Sequence, residues 1–164
     1  MGTSVLVAYA SKMGSNAEIA DAVVAVLREA GLEAEAVPAR DVKDVEPYDA
    51  VILGSALYAA HWQREANRFV AKRREGLAAK PVWLWSSGPL DWSLAVKNLP
   101  PTANVLEIMG EVPFRGHATF GGKLDPANPA IDEQILRTHP AGDFRDWNAI
   151  RAYAREIAAA LLAG

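Results

Sequence analysis

The chain has 164 residues, 51% of them hydrophobic and 23% charged, which is the balance of one globular domain rather than of a disordered segment. Seventeen basic against twenty acidic residues leave a net charge of −3, which excludes the broad basic field of a general nucleic-acid binder. No cysteine is present, so disulfides, thiolate nucleophiles, iron–sulfur clusters and CxxC redox centres are excluded as well.

The opening residues lack a basic segment followed by an apolar run and a small-residue cleavage site, and Leu6 stands where an acylation signal needs Ser or Thr. No apolar run approaches the roughly 20 residues of a membrane span. A single domain over residues 1–164 with a cytoplasmic location and no stable membrane insertion is the expectation.

Residues 4–10 (SVLVAYA) form a short run that is apolar on both faces, the pattern of a central parallel strand. A small polar loop follows, and then a helix over residues 16–30 with Ile19, Val23, Val26, Leu27 and Ala30 on one stripe. Gly31 stands where a left-handed C-terminal cap belongs. Residues 33–37 read as a weak edge strand and residues 49–54 (DAVILG) as a second buried one. A helix over residues 62–74 and a buried strand over 81–86 (PVWLWS) come next. Residues 103–109 suggest a short helix and residues 117–120 a last strand. Residues 125–143, rich in Pro, Asp and Gly around a possible helix at 131–137, read as an insertion. Asp146 caps a final helix to about residue 162, with Trp147, Ile150, Ala154, Ile157 and Leu161 facing the core. Strands separated by helices imply right-handed crossovers, hence a doubly wound α/β fold. Its five parallel strands take the order 2-1-3-4-5, with helices on both faces and a ligand crevice at the carboxyl ends of strands one and three.

Chemistry concentrates at those carboxyl ends. Ser11, Lys12, Met13, Gly14, Ser15 and Asn16 lie between a buried strand and a helix start. Backbone N–H groups, two hydroxyls and an amide there converge with the positive end of the helix dipole, an arrangement that holds a phosphate. The competing reading is a capping box, because Ser15-Asn16-Ala17-Glu18 has its pattern. After strand three come Ser55, Ala56, Leu57, Tyr58 and then His61-Trp62; after strand four come Ser87, Gly88, Pro89, Leu90 and Trp92. Small residues followed by aromatics suit the walls of a flat ring, though each aromatic alone is more often sheet packing. Lys123 follows the last strand on the same face, with Asp125 beside it as a surface partner. His61, His117 and His139 lack metal-ligand spacing, so no metal site is read; His61 is placed beside the ring as a hydrogen-bond donor.

On the segments VLVAYASKMGSNAEIA, YDAVILGSALYAAHW and SSGPLD, the chain resembles the flavodoxin-like family over nearly its whole length. Its last helix, DFRDWNAIRAYAREIAAAL, is similar to that of the branch containing the bacterial quinone-dependent protoporphyrinogen dehydrogenase. The resemblance implies flavin mononucleotide (FMN), with its phosphate on residues 11–16 and its ring between residues 56–58 and 87–90. It also implies electron transfer with a small-molecule or protein partner, a quinone or a porphyrinogen-type aromatic among them. Asn16 stands where the family usually has Thr, an amide N–H replacing a hydroxyl donor, and residues 125–143 lack the branch's basic apolar insertion.

Other uses of this strand order fail on chemistry. A phosphoacceptor domain needs acidic residues where Tyr9-Ala10 and Leu53-Gly54 stand. The glycine-rich loops of nucleotide hydrolases and dinucleotide enzymes and the G-x-S-x-G elbow are absent. Two functions stay open: an FMN oxidoreductase, and a non-catalytic carrier passing electrons between proteins.

Overall fold

The computed structural model describes residues 2–11, 14–88, 99–128, 134, 137 and 141–164. Its centre is a parallel sheet of β1 (Ser4–Ala10), β2 (Glu33–Pro38), β3 (Ala50–Tyr58), β5 (Val82–Ser87) and β6 (Gly116–Phe120), in the order β2-β1-β3-β5-β6. This is the expected 2-1-3-4-5 arrangement of parallel strands. A two-residue strand, β4 (His61–Trp62), runs back antiparallel against the end of β3.

Each sheet face carries its own core, because the central strands are buried on both sides. Val5, Val7, Ile52, Trp83 and Trp85 face α1 (Ser15–Glu29) and the last helix, α5 (Trp147–Ala163). Leu6, Ala8, Val51, Leu53 and Leu84 face α2 (Arg64–Lys72), α3 (Arg74–Ala78) and α4 (Ala103–Met109). Full burial of one such aliphatic side chain is worth about 1.5–3 kcal/mol.

The caps fall largely where the residues place them. Gly31 is left-handed at φ 94°, and Gly31 N–H bonds to Arg28 O while Leu32 N–H bonds to Leu27 O, closing α1 in a Schellman turn. Asp146 accepts from the Ala149 amide at 3.1 Å and starts α5.

Three boundaries differ from expectation. β3 runs on to Tyr58 because β4 gives it a partner beyond the sheet. Trp62 is therefore a strand residue, and α2 begins at Arg64 and breaks at Arg73, separating α3. A small ladder closes the base of the insertion, β7 (Lys123–Leu124) just before it against β8 (Gly142–Asp143) at its end, which no apolar alternation announces. Most of the helix expected at 131–137 lies outside the described residues.

Candidate functional site

β1 delivers the chain to α1 through Ser11 and Gly14. Gly14 is the N-cap residue, left-handed at φ 82°, and has no side chain to cap the helix; Ser11 Oγ accepts from the Asn16 amide at 3.3 Å. Among the described residues, a Cβ at Gly14 would meet nothing within 4 Å. The expected capping box does not form. Ser15 is the first helical residue, and Glu18 turns aside to Arg145, 3.3 Å away. The mouth of the helix carries a partial positive charge, and Ser11 and Ser15 stand half-buried beside it, Ser11 holding the Asn16 amide.

Asn16 does something different from what its position suggests. It is fully buried, accepts from the Trp85 indole N–H at 2.7 Å and donates to Ser87 Oγ at 2.8 Å. Its backbone N–H donates to Ser11 Oγ at 3.3 Å. The amide side chain is an internal strut joining the helix start to β5. The Trp85 ring reaches it across Gly54, where a Cβ would come within 1.8 Å of the indole.

The second wall is the β3–β4 hairpin. Tyr58 pairs with His61, leaving Ala59 and Ala60 as a two-residue turn with φ 48° and 65°. Positive φ at both central positions is the geometry that favours Asn-Gly, and two alanines hold it under strain. The neighbours hold it in place. Thr102 Oγ1 donates to Ala60 O at 2.8 Å, Asn104 accepts from the Trp62 amide at 3.0 Å, and Ser55 Oγ accepts from the Gln63 amide at 3.0 Å. His61 Nδ1 lies 2.7 Å from Ala59 O, so its ring closes the turn from an exposed position. Burial raises the pKa of the Tyr58 phenol, which stays neutral.

Trp62 does not line a cleft. It is buried and donates to Ser86 Oγ at 2.9 Å, which in turn lies 2.9 Å from His117 Nε2. Burial holds His117 down at about 4, so this chain of polar groups is uncharged at neutral pH.

The third wall is Ser87-Gly88. Ala56 and Ser87 are register partners, and a Cβ at Gly88 would lie 3.2 Å from Leu57 Cβ and 3.3 Å from Leu57 O. The two loops are in contact at this level, so a ring fits only further out, past Leu57 and Gly88. Lys12, Met13, Pro89, Leu90 and Trp92 lie outside the described residues.

Arg145 is the site-proximal residue that sequence reading missed. Its side chain is only 2% exposed, and it holds Asp143 bidentately, through Nε at 2.9 Å and a terminal nitrogen at 2.7 Å. The other terminal nitrogen donates to Ser15 O at 3.1 Å, and the guanidinium stacks over Trp147 at 4.6 Å. These bonds hold the Asp143 carboxyl below its usual range, with Lys123 on the neighbouring strand adding to the effect. Lys123 thus faces Asp143 across the β7–β8 ladder, rather than acting on Asp125 alone. A local signal for Arg145 exists, since a DFRDW run offers an Arg two residues from an Asp, but its partner loop is 130 residues away.

Residues 6–128 match the sequence model of the flavodoxin domain. The chain belongs to the flavodoxin domain family. Proteins of this family bind FMN and carry electrons. A flavodoxin from the domain Archaea superposes with a TM-score of 0.65 at 15% identity, covering 97% of this chain and 99% of that one. Flavodoxin 2 from Bacillus cereus gives 0.63 at 22% identity, covering 96% and 98%. The rubredoxin oxygen:oxidoreductase of Desulfovibrio gigas gives 0.66 at 16% identity, with 98% of this chain matching 36% of that longer one. No curated protein sequence matches this flavodoxin domain.

The donor set fits the cofactor. The positive end of α1, a Gly14 without a capping side chain and the flanking hydroxyls suit a phosphate monoester. Among the described residues no helix is long and apolar enough to cross a membrane, and no cluster of potential metal ligands occurs.

Proposed function

We propose that this flavodoxin domain holds FMN at the carboxyl ends of β1, β3 and β5 and exchanges electrons with a separate redox partner. The observation that carries the reading is the start of α1, where Gly14 offers no capping side chain, a Cβ on it would meet no described residue within 4 Å, and the Glu18 carboxylate is drawn aside by Arg145. The phosphate would lie against the amides of Gly14, Ser15 and Ala17, with the Ser15 hydroxyl and Ser11, which holds the Asn16 amide, beside it. The ring would border Ala56, Leu57, Tyr58, Ser87 and Gly88. Pro89 and Leu90 are assigned to the same border from sequence, and Lys12 and Met13 to the phosphate loop.

FMN supplies one- and two-electron transfer when bound. The chain's own part is positional. Asn16, Trp85 and Ser87 lock the helix start to β5, and Thr102, Asn104 and Ser55 brace the hairpin. The neutral phenol of Tyr58 keeps negative charge away from the ring.

The carrier reading is preferred to turnover of a quinone or a porphyrinogen. A small-molecule substrate would need an enclosed aromatic pocket, and Trp62, which the sequence offers for its wall, is buried against Ser86 instead. The narrower kinship with protoporphyrinogen dehydrogenases adds little, because residues 125–143 lack the branch's basic apolar insertion.

Anaerobic redox titration of the FMN-loaded protein tests this reading. Two well-separated one-electron potentials, and no saturable turnover of quinones by the reduced protein, are expected. A single two-electron step with saturable quinone turnover would favour the enzyme instead.

A further inference from the structure

Arg145 is a buried cation placed between two anions and a backbone carbonyl, at the root of the proposed phosphate loop. Its charge is matched locally by Asp143 at 2.7 Å and Glu18 at 3.3 Å, so it does not serve the loop as a free positive charge. Its effect has to come from what it holds.

Ser15-x-x-Glu18 is a sequence that closes on itself. In a capping box the Glu carboxylate swings back over the helix mouth to the N-cap N–H. A Glu18 carboxylate turned that way would put a negative charge where the phosphate arrives. In this structure Gly14 is the N-cap and Ser15 the first helical residue, and Arg145 draws the Glu18 carboxylate sideways at 3.3 Å while donating to Ser15 O at 3.1 Å. Arg145 is itself fixed by the Asp143 fork and the Trp147 ring, and Asp143 in turn by the β7–β8 ladder. The chain leading into it is equally constrained. Phe144 N–H bonds to Gly122 O at 2.9 Å, and a Cβ at Gly121 would come within 1.9 Å of Phe144 O.

We propose that Arg145 is a positioning residue for the cofactor phosphate: it keeps Glu18 off the mouth of α1 and so holds the loop in its anion-receiving form. The inference rests on the flavin reading above. It also ties the insertion to cofactor affinity, since Asp143, at its end, fixes the Arg145 side chain that reaches Ser15 and Glu18.

The test compares FMN with riboflavin, which has the same ring and no phosphate, by fluorescence titration of the apoprotein. In Arg145→Gln the freed Glu18 closes on the helix mouth. The FMN dissociation constant is expected to rise about tenfold, the scale of a charge acting at a helix end, with riboflavin affinity within about twofold of the parent. Glu18→Gln alone should leave FMN affinity unchanged or slightly tighter, and Glu18→Gln combined with Arg145→Gln should recover most of the loss. Arg145→Lys keeps the charge without the fork and should fall between. An equal loss for both ligands, no loss at all, or a double variant no better than Arg145→Gln would overturn the proposal. Should Arg145→Gln fail to fold, the parent, Arg145→Lys and Glu18→Gln/Arg145→Lys carry the same comparison. Failure of the parent to bind either flavin would instead refute the flavin reading itself.

Discussion

At residue scale, Asn16 shows how one side chain links fold to site. Its amide accepts from Trp85 and donates to Ser87 with no exposure to water, so truncation leaves two buried polar groups unpaired. Asn16→Ala should cost about 2 kcal/mol in urea unfolding, the usual penalty for stranding such groups. Asn16→Thr restores one hydroxyl but cannot span both partners, and about 1 kcal/mol of loss is expected. The sequence showed Asn16 at the right position but not its direction. Its partners come from a strand about 70 residues on, and only the register of β5 decides that they meet it. His117 offers a pH test. Its folded pKa of about 4 lies below the ordinary 6.5, so the unfolded chain takes up a proton first as pH falls. Stability should therefore decline from pH 6.5 to 4, and His117→Gln should flatten the decline in urea midpoints measured over that window. Asp143 has the opposite cause and a lower window: its stabilising charge is present at neutral pH and is lost on acidification below its ordinary value of 3.8.

At the scale of elements, the β3–β4 hairpin is where propensity and structure disagree. Ala59 and Ala60 occupy left-handed positions at a cost of about 1 kcal/mol each. Ala59→Asn with Ala60→Gly supplies the residues this turn prefers, and a gain of about 1 kcal/mol with an unchanged urea slope is expected. The central strands and α1 were legible because burial on both faces writes continuous apolar runs, and because a helix leaves a periodic stripe. The hairpin was not, since an Ala-Ala turn carries no turn signal and β4 is two residues long. The same holds for β7 and β8, whose pairing is set by Gly121 and Gly142 lying against Phe144 rather than by any alternation.

At the scale of the whole molecule, the sheet order brings three loops to one end, and the site exists only because they meet there. The strand order could be read from the chain, whereas the tight Leu57–Gly88 contact and the Arg145 junction could not, being products of packing between distant segments. A ligand held by all three loops binds only the folded state. At free FMN about 100-fold above its dissociation constant, unfolding should become about 2.7 kcal/mol harder. For a chain of this size that raises the thermal midpoint by about 5–11 °C, and riboflavin should give a smaller shift. The most direct test of the account is a 1H–15N correlation spectrum of the apoprotein titrated with FMN. Saturable shifts at one FMN per chain are predicted for the amides of Gly14, Ser15, Ala17, Leu57, Tyr58 and Gly88, with α5 beyond its first turn unaffected. Saturation with those amides unmoved, or no saturable shift anywhere, would contradict it.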